Sequence, residues 1–171
     1  VLNVYFAIPK LFKYSDKFYD EYGQSVNHVL GVMTNGGTLS NITALQYVMA
    51  SILSGNGIGL GINEIGLLES LQKIHKKEIV IFASELHHYS IKKAAKILGV
   101  GRESIIPFRL HNEADIQVLQ EKIEECNNRN QLILAIVGVA GTTESGEVDD
   151  LVSLSKIAQK IDGKQASSYW C

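Results

Sequence analysis

Two uninterrupted apolar runs set the tightest limit on what this 171-residue chain can fold into. Ile79-Val80-Ile81-Phe82-Ala83 and Leu132-Ile133-Leu134-Ala135-Ile136-Val137 contain no polar residue. A strand with one wet face alternates apolar with polar side chains, so runs of this kind mark strands covered on both faces. A shorter strand is predicted over 104–108. Between the strands, apolar residues recur at helical spacing. Ile91, Ala94, Ala95 and Leu98 form one stripe, stopped by Gly99; Ile116, Leu119, Ile123 and Cys126 form a second over 113–126. Leu151, Leu154, Ala158 and Ile161 form a third over 150–161, and earlier helices are predicted over 40–53 and 62–75. Strands alternating with amphipathic helices imply right-handed crossovers, hence an α/β fold with a mainly parallel sheet flanked by helices.

Ligands of such sheets sit where strands end and helices begin. Three loops therefore matter most: 34–40, 84–90 and 138–147, which are also the richest in glycine and polar residues. The first belongs to Gly31-Val32-Met33-Thr34-Asn35-Gly36-Gly37-Thr38-Leu39-Ser40-Asn41, a strand end followed by adjacent glycines and a helix start. Thr38, Ser40 and Asn41 can each cap the first turn. The glycines let the backbone turn tightly beside the positive end of a helix dipole, which makes an anion site. A capped helix with no ligand accounts for the stretch equally well, and the P-loop pattern is absent. The second loop carries His87 and His88, which face opposite ways if the strand persists, so one of them at most addresses a site. The third, Gly138 to Gly146, sets Thr142 and Thr143 between glycines; alone it reads as a turn. The glycine run from Gly55 to Gly61 follows a helix and lacks a downstream acidic partner, so it reads as a loop and not as a dinucleotide fingerprint.

A formal net charge of −2 without a basic stripe argues against nucleic acid. Two cysteines, Cys126 and Cys171, and five histidines show no metal-ligand spacing, and such cysteine usage suits a reducing compartment. The apolar start is broken by Pro9 and Lys10 and has no basic leader, so the expected location is cytoplasmic, with no membrane partner. Residues 1–30 show no clear period.

Taken together, the ordered segments TNGGT-x-x-N, SELHHYSIKKAAKILG and IVGVAGTTESGEVDD resemble the group II pyridoxal-phosphate-dependent amino acid decarboxylases. That family acts on glutamate, aspartate, histidine and aromatic amino acids. The likeness spans roughly residues 15 to 161 and is nearest to members acting on acidic amino acids, the aspartate 1-decarboxylase branch above all. It implies the large domain of fold-type I enzymes, pyridoxal 5'-phosphate as cofactor, carboxy-lyase activity on an amino acid, and a homodimer in the intact family. It further implies that Gly37 and Thr38 bind the cofactor phosphate. His88 becomes the catalytic, ring-stacking histidine, and Thr143, in preference to Thr142, lies beside the ring. Asp149 becomes a helix start, and Lys92 and Lys93 face solvent.

The chain also departs from the family pattern. After helix 150–161 the family has a strand reading H-V-D-A, whose aspartate pairs with the ring nitrogen. Here Lys164-Gln165-Ala166-Ser167-Ser168-Tyr169-Trp170-Cys171 stands in its place, and Asp162 comes too early. The lysine that anchors the cofactor is expected beyond Cys171. The reading is thus a fragment: 1–30 a remnant of an N-terminal segment, 31–163 a partial cofactor-binding large domain, 164–171 a divergent tail. Such a fragment is expected to be inactive alone. Two other readings stay open, a non-catalytic truncated remnant and another fold-type I lyase or aminotransferase.

Overall fold

The computed structural model describes residues 34–54, 61–162 and 169–170. The predicted segment 1–30, the glycines of 55–60 and Lys164 lie outside these residues. The two apolar runs become β1 (Ile79–Ser84) and β3 (Leu132–Gly138), buried at every position. With β2 (Ile105–Phe108) and the short β4 (Tyr169–Trp170) they form a sheet of order β2-β1-β3-β4, every pair parallel. β4 falls in the stretch read from sequence as a divergent tail; it aligns Tyr169 with Val137 and Trp170 with Gly138.

Among the described residues five α-helices cover the sheet: α1 (Gly37–Ser54), α2 (Ile62–Lys73), α3 (Ser90–Ile97), α4 (Glu113–Asn128) and α5 (Leu151–Asp162). Side chains alternate across the pleat, so each central strand feeds two cores. Ile79, Ile81 and Ala83 pack with Leu45 and Val48 of α1 and with Ile91, Ala94 and Ala95 of α3. Val80 and Phe82 pack on the other side with Leu119 and Ile123 of α4 and Leu154 and Ile157 of α5. Phe82 is fully buried, and truncating it to alanine should cost about 3–5 kcal/mol.

Three local departures from the periodicity have physical causes. α1 starts at Gly37 and not at 40, because Gly36 takes φ +98° and turns the chain into the helix earlier. The helix predicted over 62–75 ends at Lys73 and breaks at Gly66 (φ 77°, ψ 174°). The break rotates the stripe, so Leu68 is exposed while Leu71 is buried. At the sheet's flank, the Phe108 carbonyl accepts from the Glu85 N–H at 2.9 Å, which turns the neighbouring Pro107 backbone away from β1. Lys122 Nζ donates to the Pro107 carbonyl at 3.0 Å.

Candidate functional site

Two of the loops singled out above, 84–90 and 138–147, follow β1 and β3 at the carboxyl edge of this sheet, and residues of 34–40 meet them there. Gly37, Thr38, His87, His88, Thr142 and Thr143 line one cavity there, of about 940 Å³. That is within the size range of small-molecule sites.

The first wall is the start of α1. The Gly36 N–H donates to Thr34 O at 2.9 Å, and the first bond inside the helix runs from Ser40 N–H to Gly36 O at 3.1 Å. The N–H groups of Gly37, Thr38 and Leu39 therefore precede the intrahelical ladder and stand at the positive end of an 18-residue helix. A Cβ on Gly37 would meet nothing within 4 Å, so the backbone there is open to an approaching group. Gly36 holds the cap position, Ser40 Oγ donates back to Gly36 O at 3.3 Å, and Asn41, read from sequence as a possible cap, is buried and donates to Ser90 Oγ of α3.

The second wall is the turn after β1. Because the strand stops at Ser84, alternation no longer separates the two histidines and both reach the cavity. The expectation that one at most would do so held only for a strand persisting through the pair, and β1 ends before it. His87 Nδ1 lies 2.6 Å from the Ser84 carbonyl. His88 is exposed, with Nδ1 2.9 Å from Ser90 Oγ, and its ring centre lies 4.2 Å from that of Tyr89.

The third wall is the turn 139–148. Thr142 is committed to holding it: Thr142 Oγ1 accepts from the N–H groups of Ser145 and Glu147, each at 3.2 Å. Gly141 and Gly146, at φ +113° and +70°, make the left-handed bends that the turn requires. Thr143 stands next to this hub, exposed at the cavity.

Behind the walls lies a residue whose position sequence reasoning misplaced. Asp149 does not start α5. It is 4% exposed; Oδ1 accepts from Ser84 Oγ at 3.1 Å and Oδ2 from the Val139 N–H at 2.7 Å. Ser84 Oγ in turn accepts from the Leu86 N–H at 3.2 Å. One carboxylate thus ties the histidine turn to the threonine turn. The cap of α5 is Asp150, which accepts from Ser153 N–H at 3.0 Å and Ser153 Oγ at 2.6 Å. Those two bonds hold the Asp150 carboxyl below the usual carboxylate range. Two adjacent aspartates could each cap, and only burial distinguishes them.

No lysine lines the cavity among the described residues; Lys92, Lys93 and Lys96 are exposed on α3. No described helix is long and apolar enough to cross a membrane.

A parallel α/β sheet with an anion-ready helix start, a histidine and a threonine turn on its carboxyl edge defines a class of cofactor-binding large domains, and comparison with known proteins says which. The family model of the pyridoxal-dependent decarboxylase conserved domain matches residues 7–165, and the chain belongs to that family. It is 40% identical over 152 residues to aspartate 1-decarboxylase of Aliivibrio fischeri, covering 88% of this chain and 28% of that protein. A probable L-tyrosine/L-aspartate decarboxylase of Methanococcus aeolicus is 30% identical over 159 residues, covering 89% and 36%. Among solved structures, the glutamate decarboxylase domain of the diaminobutyrate-pyruvate transaminase and L-2,4-diaminobutyrate decarboxylase from Vibrio parahaemolyticus superposes with a TM-score of 0.65 at 28% identity. That match covers 80% of this chain and 28% of the other. The chain therefore spans 28–36% of the length of these relatives.

The family's cofactor is pyridoxal phosphate. The described residues suit two of its parts: open first-turn N–H groups beside an unobstructed Gly37 suit a phosphate, and an exposed imidazole on the same cavity suits a flat ring. The amine that would anchor the aldehyde is not among the described lining residues.

Proposed function

We propose that the intact protein is a pyridoxal-phosphate-dependent carboxy-lyase acting on an acidic amino acid, aspartate or glutamate. The observation that carries this reading is the convergence of Gly37, Thr38, His88 and Thr143 on one cavity at the carboxyl edge. In this role the N–H groups of Gly37 and Thr38 hold the cofactor phosphate at the α1 terminus. His88 sets the plane of the ring, and the Thr143 hydroxyl addresses its side. Asp149 keeps the two turns carrying them at a fixed separation. When bound, the cofactor supplies the electron sink that accepts the bond pair released with carbon dioxide. The chain's own contribution is orientation and a preorganised polar wall.

The choice of an acidic substrate is supported by the likeness to aspartate 1-decarboxylase. It is not carried by the lining, which contains no arginine or lysine among the described residues. We assign the substrate-selecting groups, the anchoring lysine and the ring-nitrogen partner to segments outside the described residues, including those of a second copy in a homodimer. The 171-residue chain alone is accordingly expected to bind pyridoxal phosphate weakly and to lack decarboxylase activity, in a cytoplasmic setting. The test is carbon dioxide release from aspartate, glutamate, tyrosine and 2,4-diaminobutyrate by the intact protein loaded with cofactor. A preference for tyrosine or diaminobutyrate would overturn the substrate class. Failure to bind the cofactor at all would overturn the reading itself.

A further inference from the structure

Two buried polar side chains are hydrogen-bonded in series to His88. Ser90 is fully buried and Asn41 is 9% exposed. Buried polar groups are costly unless hydrogen-bonded, so their partners carry information. Asn41 Nδ2 donates to Ser90 Oγ at 2.8 Å. Ser90 Oγ lies 2.9 Å from His88 Nδ1, and the Ser90 backbone N–H donates to the same Nδ1 at 3.3 Å.

The directions along this chain of bonds follow from the groups themselves. An amide NH₂ only donates, so Ser90 Oγ accepts from Asn41 and gives its own proton to the ring. His88 Nδ1 then faces two donors and must be the unprotonated nitrogen. A neutral His88 carries its proton on Nε2. The neighbouring His87 is the reverse case: its Nδ1 lies 2.6 Å from the Ser84 carbonyl, which only accepts, so that nitrogen carries the proton. Adjacent histidines on one cavity are held in opposite tautomers by different partners.

We infer that Asn41 and Ser90 are positioning residues that act through His88, holding it as the neutral Nε2–H tautomer with its ring oriented at the cavity. The catalytic consequence rests on the function proposed above; the tautomer assignment rests on the hydrogen bonds alone. A ring so held presents an uncharged flat face to a cofactor ring. Its orientation is also tied to α1, because Asn41 belongs to the helix whose first turn lines the other end of the same cavity. Anything that shifts the phosphate end of α1 therefore also turns the imidazole.

The experiment labels the protein with ¹⁵N-histidine and reads long-range ¹H–¹⁵N correlations at a pH where the imidazoles are neutral. His88 should show an unprotonated Nδ1, and His87 an unprotonated Nε2. Asn41→Asp replaces the donor by an acceptor, which reverses the bond chain and should move the His88 proton to Nδ1. Ser90→Ala leaves only the longer backbone bond and should give a mixture of tautomers. In the cofactor-loaded intact enzyme, the same change should lower kcat on the order of fivefold, with KM within about twofold. A wild-type His88 protonated on Nδ1 overturns the inference without any variant. So does a folded Asn41→Asp protein whose His88 pattern is unchanged. If the tautomers are as stated but the intact protein binds no pyridoxal phosphate, the functional proposal falls and the positioning assignment survives.

Discussion

The two edges of the sheet use hydrogen bonds in contrasting ways. At the carboxyl edge, two bonds that join distant segments beside the cavity are buried, Ser84 to Asp149 and Asn41 to Ser90, while the Glu85–Arg109 ion pair that joins the ends of β1 and β2 is exposed. At the amino edge such bonds are half-buried or exposed. Gln131 Nε2 donates to Glu78 at 2.7 Å, Lys76 Nζ donates to the Gln131 carbonyl at 3.2 Å, and the Lys77 N–H donates to Asn130 O at 3.1 Å. Each edge also has a hollow, of about 940 Å³ at the carboxyl side and about 410 Å³ at the amino side. The amino-side hollow mixes Glu78, Glu103 and Glu125 with Lys122 and Arg129. Its Cys126 thiol is pushed up by burial, and by the Glu125 carboxylate, so it stays a thiol and not a nucleophile. Charges there offset one another, whereas the carboxyl-edge hollow has backbone donors and rings beside Glu144 and Glu147, with the buried Asp149 carboxylate behind the turns. The buried ties behind the cavity serve to aim groups; the half-buried and exposed ties of the amino edge only join segments.

Substitutions can break that contrast, and the largest effect belongs to Asp149. Asp149→Ala strands the Ser84 hydroxyl and the Val139 N–H in a buried site. The expected cost is on the order of 3 kcal/mol, read from the denaturant midpoint, together with loss of cofactor binding. An unchanged midpoint would mean that the carboxylate ties nothing. Gly36→Ala forces a side chain onto φ +98° and should cost about 1–2 kcal/mol, while weakening cofactor affinity through the displaced α1 terminus. Equal affinity in the variant would detach the phosphate role from this turn. His88→Ala, at an exposed position, should leave the midpoint within about 0.5 kcal/mol yet slow turnover of the intact enzyme roughly tenfold or more. Its effect on cofactor retention should be smaller, and unchanged turnover would count against His88. The smallest effect is expected at the opposite edge. Gln131→Ala loses one bond to Glu78, about 1 kcal/mol, with no change in cofactor titration. A change there would show that the edges are coupled.

Much of this was legible in the sequence, for reasons that particular residues make plain. β1 and β3 are covered on both faces, so their apolar runs could hardly be anything else, and Leu119, Ile123 and Cys126 fell inward at helical spacing as expected. The loops around the cavity were legible because glycine and polar residues collect where strands give way to helices. What stayed hidden was pairing across distance. Nothing in Asp149-Asp150 says which aspartate turns inward, since both can cap a helix and the deciding partner, Ser84, is 65 residues away. Asn41 was read as a cap for the same reason, when its partner Ser90 lies 49 residues on. The bend at Gly66 left a visible signal, a glycine inside a helical pattern. The separation expected of His87 and His88 depended on a strand persisting through them, and β1 ends at Ser84.

The Pro107–Lys122 contact has a consequence for how molecules of this chain meet one another. A terminal strand normally offers a free row of donors and acceptors on which a foreign strand can template. Among the described residues β2 ends the sheet, and on its outward side Pro107 has no N–H to offer while its carbonyl is already occupied by the Lys122 ammonium. An incoming strand would have to displace a charged group and gain no bond from the proline nitrogen. β2 is therefore a poor seed for strand-by-strand self-association, a safeguard for a sheet this apolar while the chain is being synthesised.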